Sequence, residues 1–281
     1  ILGLTDSLYR KPKVLSAAVK QRVAVARAMV REPRVFLFDE PLSGLDENLR
    51  ADLLNVIVNV QARMSGTFLY ATKNLAEAMA IGTRIAVLKN GLLQQTDTPA
   101  NLYDYPVNAY VAFLTGSPTI NLLQGATVVK EQEGYFVNCG AIKLPLAKTI
   151  VKRFEKIDEY AANGAEIILG IRPEDAEAGK DGAIDAKVAQ VESDGGKTYA
   201  ECSIDGGKPV IVWGQSTLLK GEEVKISVNL NRLYLFDGQT RLTLLNRDGG
   251  YKNTGRADAD FKPLTYAEEQ EISEKSKPKA K

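Results

Sequence analysis

The sequence predicts an α/β segment followed by an all-β segment, on three observations. A four-residue apolar run, Val35-Phe36-Leu37-Phe38, lies between Pro33 and Pro41 and reads as a short strand buried on both faces. Helical spacing flanks it: an Ala- and Val-rich stretch before it, and Leu49, Leu53, Val56, Ile57 and Val60 after it. From Leu122 onward the texture changes to short alternating strands punctuated by glycine, the pattern of small barrels. A chain of 281 residues can hold one large or two ordinary domains, with enough apolar residues for a core.

Taken in order, residues 1–13 read as a helix remnant and a basic turn around Pro12. Ser16 looks like the N-cap of a helix from Ala17 to Arg31, stopped by Pro33. The apolar strand follows, then a helix from Asn48 to Met64 that Gly66 breaks. Thr67 to Thr72 is a second buried strand, followed by a helix around Leu75 to Ile81. Arg84 to Leu88 is another strand, Asn90-Gly91 a hairpin turn, and Thr98-Pro99 opens a helix by cap and first-turn proline. An aromatic helix pair around Tyr103–Pro106 and Ala109–Pro118 precedes the change of texture. The strands expected beyond it are Ala126–Val129, Tyr135–Asn138, Ile167–Ile171, Lys187–Glu192, Tyr199–Ile204, Val210–Trp213, Val224–Val228 and Arg241–Leu244. One helix, Leu146 to Ala162, interrupts them, and residues 248–281 read as a disordered or loosely helical tail with mixed charge runs.

Composition removes several classes of function. Thirty-six basic residues against thirty-five acidic ones leave a net charge of +1, which gives no reason to expect a nucleic-acid partner. No run is apolar and long enough to span a bilayer, and no secretory signal is visible. Cys139 and Cys202 are too few and too far apart for a disulfide framework or a zinc site, which fits a reducing cytosol. The absence of histidine removes the commonest acid/base and metal ligand from every hypothesis. The chain does not begin with Met, and the expectation is that it is a fragment of a longer reading frame.

The carboxylates Asp39 and Glu40 sit where the first strand would emerge from a sheet, the end at which open α/β sheets bind ligands. A pair there can hold a Mg²⁺–water shell with the first acid and orient an attacking water with the second. A plain acidic turn after a strand is the other reading of those two residues alone. At Ser16, a helix N-terminus offers free N–H groups and a positive dipole end to a phosphate.

Leu15-Ser16 with Gln21-Arg22-Val23-Ala24, the strand with Asp39-Glu40, and Pro41-Leu42-Ser43-Gly44-Leu45-Asp46 together resemble the ATPase subunits of ATP-binding cassette transporters: signature segment, Walker B strand and D-loop, in the family's order and spacing. The aromatic helix pair with Gly116-Ser117-Pro118 and Asn121 resembles the subgroup serving importers of sugars and related small solutes. Gly170-Ile171-Arg172-Pro173-Glu174-Asp175 and Leu233 to Asp237 are similar to the accessory barrel that follows such ATPases. The resemblance implies the C-terminal part of a P-loop-type ATPase domain over 1–117 and an OB-like accessory domain over 118–247.

The resemblance further implies ATP and Mg²⁺ as cofactors, with Asp39 holding Mg²⁺ through water and Glu40 polarising the attacking water. Asp46 would help the two shared sites communicate, and Ser16 would cap the γ-phosphate of a nucleotide held by a second ATPase subunit. Other implied partners are membrane permease subunits and, indirectly, a solute-binding protein, at the cytoplasmic face of a bacterial-type membrane. Departures from the family pattern accompany these matches. The signature Leu-Ser-Gly-Gly-Gln reads Leu15-Ser16-Ala17-Ala18-Val19, and Lys73-Asn74 stands where the family has its switch histidine. Two readings stay open at each place: Ala17, Ala18 and Val19 either weaken a phosphate contact or only pack, and Lys73 either meets a phosphate or is a solvated loop lysine. The Gly-x-x-x-x-Gly-Lys-Ser/Thr phosphate loop is absent; in the family it lies upstream of the signature.

The expected function is therefore an importer ATPase subunit with impaired sites, working best in a heterodimer with an intact chain. The alternatives are a non-hydrolysing regulatory or scaffold subunit and, further off, an oligonucleotide-binding barrel protein.

Overall fold

The computed structural model describes residues 2–194, 196–204 and 207–247, so the expected tail over 248–281 lies outside the described residues. The chain forms two compact units that divide between Ile85 and Ala86.

In the first unit, short 3₁₀ turns at Thr5–Ser7 and Pro12–Val14 precede α1 (Ala17–Met29), which the Ser16 side chain caps by accepting from the Val19 amide at 3.3 Å. Then follow β1 (Val35–Asp39), α2 (Glu47–Arg63), β2 (Thr67–Ala71) and α3 (Leu75–Ile81). The strands run parallel in register from Val35 opposite Thr67 to Asp39 opposite Ala71. Alternation sends Phe36, Phe38, Phe68 and Tyr70 to one face, where Phe36 and Phe68 stack with centroids 4.5 Å apart. Phe38 and Tyr70 pack against Leu42, Leu53, Ile57 and Ile81, so the helical spacing read from Leu53, Ile57 and Val60 corresponds to their burial.

The other face corrects the expectation of strands buried on both sides. Val35, Leu37 and Leu69 are 53%, 74% and 64% exposed. Among the described residues the sheet is two strands wide, and the core formed with α2 and α3 takes only the aromatic side of it. A four-residue apolar run looks the same whether one face is covered or two.

The second unit opens with the hairpin of β3 (Ile85–Lys89) and β4 (Leu92–Asp97), turned by Asn90 and Gly91 at φ of 49° and 76°. The short helices α4 (Pro99–Asp104) and α5 (Ala109–Leu114) follow, capped by Thr98 and Asn108. After them come β5 (Asn121–Glu131), β6 (Gly134–Cys139), β7 (Ile142–Pro145), α6 (Lys148–Arg153), α7 (Ile157–Asn163) and β8 (Glu166–Ile171). The chain continues through β9 (Ala176–Gly179), β10 (Ile184–Asp194), β11 (Lys197–Ile204), β12 (Lys208–Trp213), β13 (Glu223–Val228) and β14 (Tyr234–Asp237). Two sheets result: a five-stranded one in the order β14-β8-β5-β6-β7, and a closed barrel in the order β10-β11-β12-β9-β13. One apolar core runs through both, from Leu123, Val137 and Ile167 to Ala200, Cys202 and Ile226, and a second buried cluster joins Ile168, Tyr234 and Phe236 of the five-stranded sheet to Ala109 and Ala112 of α5.

Two expectations fail here. The helix read as Leu146 to Ala162 is two helices, because Phe154 leaves helical geometry (φ −96°, ψ 86°) and is drawn into the core at 2% exposure. Arg241–Leu244 is no strand, only isolated bridges from Leu242 to Asn108 and from Thr243 to Phe236. A tight turn held by the Asp237 carboxylate, with Arg241 at φ +63°, bends the chain before a ladder can form. The compact units divide at Ile85/Ala86, ahead of both the expected domain boundary at 117/118 and the change of texture at Leu122. Hydrogen bonds from the Ala109 amide to Arg241 O and from the Thr243 amide to Val107 O draw α4 and α5 into the β-rich unit.

Candidate functional site

The end of β1 turns sharply. Glu40 has φ +44°, left-handed backbone that a side-chain-bearing residue adopts at a cost, and such strain gathers at functional sites. The Glu40 amide donates to Ala71 O at 2.9 Å, so the first residue beyond β1 remains tied to the last residue of β2. Pro41 and Leu42 turn inward and are buried; Ser43 and Gly44 are exposed, and the Ser43 amide donates to Glu40 O at 3.1 Å. The loop ends at Asp46, whose carboxylate caps α2 by accepting from the Leu49 amide at 3.0 Å.

The structure brings three of the expected site residues together. Asp39 is exposed at the strand end, the Glu40 side chain is 34% exposed, and the Lys73 ammonium lies 3.9 Å from a Glu40 carboxylate oxygen. At 95% exposure the Lys73 side chain is held loosely, and an ion pair that wet is worth little. Asp46 lies at the far end of the same loop. Ser16, Ala17, Ala18 and Val19 are not joined to Asp39 or Glu40 by any hydrogen bond or ion pair among the described residues. Ala17 is exposed at the first turn of α1, whereas Ala18 is buried at 4%.

Residues that sequence reasoning missed hold the loops in place. Glu77, 4% exposed, accepts from the Tyr70 hydroxyl at 2.9 Å and the Thr72 hydroxyl at 2.8 Å. Arg50 donates to Leu45 O at 3.2 Å and places Nε 3.6 Å from Glu77 Oε1, an ion pair too long for a hydrogen bond. Burial first, and then the bond to Glu77, push the Tyr70 phenol well above its ordinary pKa, so it stays a donor. The available signal was Asn74-x-x-Glu77, a capping box at the start of α3. Asn74 does accept from the Glu77 amide at 3.1 Å, but the Glu77 carboxylate turns to β2 instead of closing the box.

As a cation site the strand end is incomplete by itself. Among the described residues no group of three or more acidic, cysteine or histidine side chains converges on one point. An exposed Asp39 fits a Mg²⁺ ion that keeps its waters and takes its remaining ligands from nucleotide phosphates, since Mg²⁺ is commonly bound by one or two carboxylates plus substrate oxygens.

A parallel α/β unit with a carboxylate pair at its strand end, followed by a β-rich unit with a closed five-stranded barrel, is an architecture that ATP-binding transporter subunits share. Comparison with known proteins narrows that class. Residues 2–43 match the ABC transporter family model, and residues 116–176 match the MalK OB fold domain. The chain is 35% identical over 253 residues to the oligosaccharides import ATP-binding protein MsmX of Bacillus subtilis, covering 87% of this chain and 67% of that protein. To the diacetylchitobiose uptake system ATP-binding protein MsiK of Streptomyces coelicolor it is 39% identical over 264 residues, 86% of this chain and 68% of that protein. To the trehalose/maltose import ATP-binding protein MalK of Thermococcus litoralis it is 36% identical over 249 residues, 85% of this chain and 65% of that protein. The chain belongs to the family of ATP-binding cassette transporter ATP-binding proteins that carry a MalK-type OB domain. It spans about two thirds of the length of these curated relatives.

Proposed function

We propose that this chain acts as the ATP-binding and ATP-hydrolysing subunit of an importer for sugars or related small solutes. The observation that carries the reading is the pair Asp39 and Glu40 at the tip of a parallel strand, with Glu40 fixed in left-handed backbone and tied to Ala71. The relatives' names support the solute class, since MsmX, MsiK and MalK are named for oligosaccharide, diacetylchitobiose and trehalose or maltose uptake. Residues 1–117 would contribute the C-terminal part of the ATPase domain and 118–247 the accessory domain.

Asp39 would orient the waters of a Mg²⁺ ion, and the exposed third of Glu40 would accept a proton from the attacking water. When bound, Mg²⁺ would supply charge neutralisation at the phosphates. Lys73 would bring positive charge near the terminal phosphate without the acceptor nitrogen an imidazole has. Ser16 caps α1 through its oxygen lone pair, leaving the hydroxyl proton free to donate to a phosphate on a second ATPase subunit. Ala17, Ala18 and Val19 there would make the contact weaker than glycines allow. Asp46, engaged at the start of α2, would carry movement of that helix to the partner's site.

Partner chains follow from the same reading: a second ATPase subunit, most effective as a heterodimer with an intact signature, and membrane permeases served by a solute-binding protein. No helix among the described residues is long and apolar enough to cross a membrane, which is compatible with a peripheral subunit at the cytoplasmic face. The test is ATP turnover by the full-length protein, alone and with candidate partner chains. Glu40→Gln should lower turnover about a hundredfold or more, the scale of losing a general base. Turnover absent in every pairing, with Mg-ATP still raising the melting temperature, would move the chain to the regulatory or scaffold reading.

A further inference from the structure

Glu77 touches neither the strand-end carboxylates nor the exposed face of Lys73, yet its contacts surround the loop that carries both functions. Its Oε2 accepts from Tyr70 and Thr72, the two neighbours of Ala71, and the Ala71 carbonyl accepts the Glu40 amide at 2.9 Å. Its Oε1 faces Arg50 at 3.6 Å, and Arg50 donates to Leu45 O at the other end of the same loop. The Thr72 hydroxyl, while donating to the Glu77 carboxylate, accepts from the Asn74 amide at 3.0 Å, so Lys73 lies between a residue bonded to that carboxylate and one bonded to Thr72. Glu77 is 4% exposed, and the two hydroxyl donors on Oε2 together with the Arg50 charge facing Oε1 offset the cost of burying its carboxylate.

We propose that Glu77 is a positioning residue that locks the 40–45 loop to the 71–74 loop. The geometry of Glu40 and the position of Lys73 then move as one unit instead of independently. The carboxylate reaches both ends of the Glu40 loop: at the start through Tyr70 and Thr72, which flank the Ala71 that bonds Glu40, and at the end through Arg50 and Leu45. The Arg50 link lacks a hydrogen bond to Glu77, which makes it the weaker of the two and the place where the lock opens first. Its catalytic consequence rests on the reading of Glu40 as the base; the mechanical claim does not.

The test separates the two. Amide exchange of the full-length protein without nucleotide is measured over 43–46, over 72–75, and at the middle of α2 around Ile57. In Glu77→Gln both loops should exchange about tenfold faster while the middle of α2 stays within twofold. Arg50→Leu should speed only 43–46, and the double variant should add nothing there beyond Glu77→Gln alone. Loosening confined to 72–75 in Glu77→Gln, or full additivity at 43–46, overturns the proposal. Should Glu77→Gln also release the middle of α2, Arg50→Lys decides, because its side chain is a third exposed and its charge is kept. Faster exchange at 43–46 alone supports the lock, and an unchanged rate sinks it. In turnover, Glu77→Gln should lower kcat with KM for ATP held, whereas Glu40→Gln leaving turnover intact would remove the base assignment and leave the exchange result standing.

Discussion

The two units solve the burial of a sheet in different ways. In the second, strands close into a barrel or stack on it, and Val212, Ala200, Leu169 and Leu235 are 2% exposed or less. In the first, the parallel pair β1 and β2 covers one face with helices and leaves Val35, Leu37 and Leu69 open. The strained Glu40 and the exposed Asp39 are on this half-covered unit. The carboxylate pair proposed as the site is thus on a unit whose sheet is covered on one face among the described residues, while the barrel shares a closed core with the sheet beside it, and the second unit's exposed large apolar side chains, such as Leu88, Leu92, Leu93 and Leu219, lie outside that core. The contrast makes distinct predictions for each side.

The largest effect is expected at Arg172, a fully buried cation in the second unit. Its guanidinium carbon lies 3.5 Å from the Tyr103 ring centroid and 5.2 Å from that of Tyr234, while Nη2 donates to Tyr103 O at 2.6 Å and Nε to the Tyr234 hydroxyl at 3.3 Å. Gly116 lets the chain pass, since a Cβ there would stand 2.9 Å from Arg172 Nη1. Arg172→Ala removes these hydrogen bonds, a third to the Thr115 hydroxyl and a large packed side chain, and should cost about 3–5 kcal/mol. Urea unfolding followed by the single tryptophan, Trp213, reads this unit directly. A cost below about 1 kcal/mol would mean that the aromatic sandwich does not hold α4 to the β-rich core.

A smaller effect, dependent on pH, is expected at Asp237. Burial alone would raise its pKa, but hydrogen bonds from the Tyr160 hydroxyl at 2.6 Å and from Thr240 and Gln239 outweigh it and hold the carboxyl below its ordinary range. With the folded value depressed, the unfolded chain binds the extra proton first. The stabilisation is complete above about pH 4, the unfolded value, and is lost as pH falls through the folded value. Asp237→Asn should remove about 1 kcal/mol at neutral pH and flatten the acid limb of the Trp213-monitored stability curve. An unchanged acid limb would show that this turn is not what the acid titrates.

Much of this contrast was legible beforehand, and the illegible part has physical causes. Caps and turns spoke locally: Ser16, Thr98-Pro99 and Asn90-Gly91 all fall where their chemistry demands. The change of texture after residue 121 announced the β-rich unit, though β7, β9 and β14 were missed because four-residue strands leave too few alternations to register. The carboxylate pair was visible as a motif, but Glu40's left-handed backbone and the Glu77–Arg50 lock were not. Both depend on contacts across 27 to 33 residues of sequence, Arg50 to Glu77, Glu40 to Ala71 and Glu40 to Lys73, and no local pattern encodes such a contact. The failure at Phe154 is of the same kind, since tertiary burial overrode a helical pattern.

The smallest effect should come from the open face, and that near-zero result tests the comparison most sharply. Leu53, on the covered side, is 0% exposed; truncating such a residue to alanine costs about 2–5 kcal/mol, read as faster exchange of the α2 amides. Leu37 has the same side chain one element away and is 74% exposed, so Leu37→Ala should change α2 exchange by less than the factor that 0.5 kcal/mol allows, about twofold. The apolar transfer term scales with area removed from water, and at Leu37 most of that area is never removed. If Leu37→Ala instead matches Leu53→Ala in the full-length protein, something beyond the described residues covers β1. The β1–β2 sheet would then be covered on both faces, and the contrast between a half-open sheet and a closed barrel would disappear.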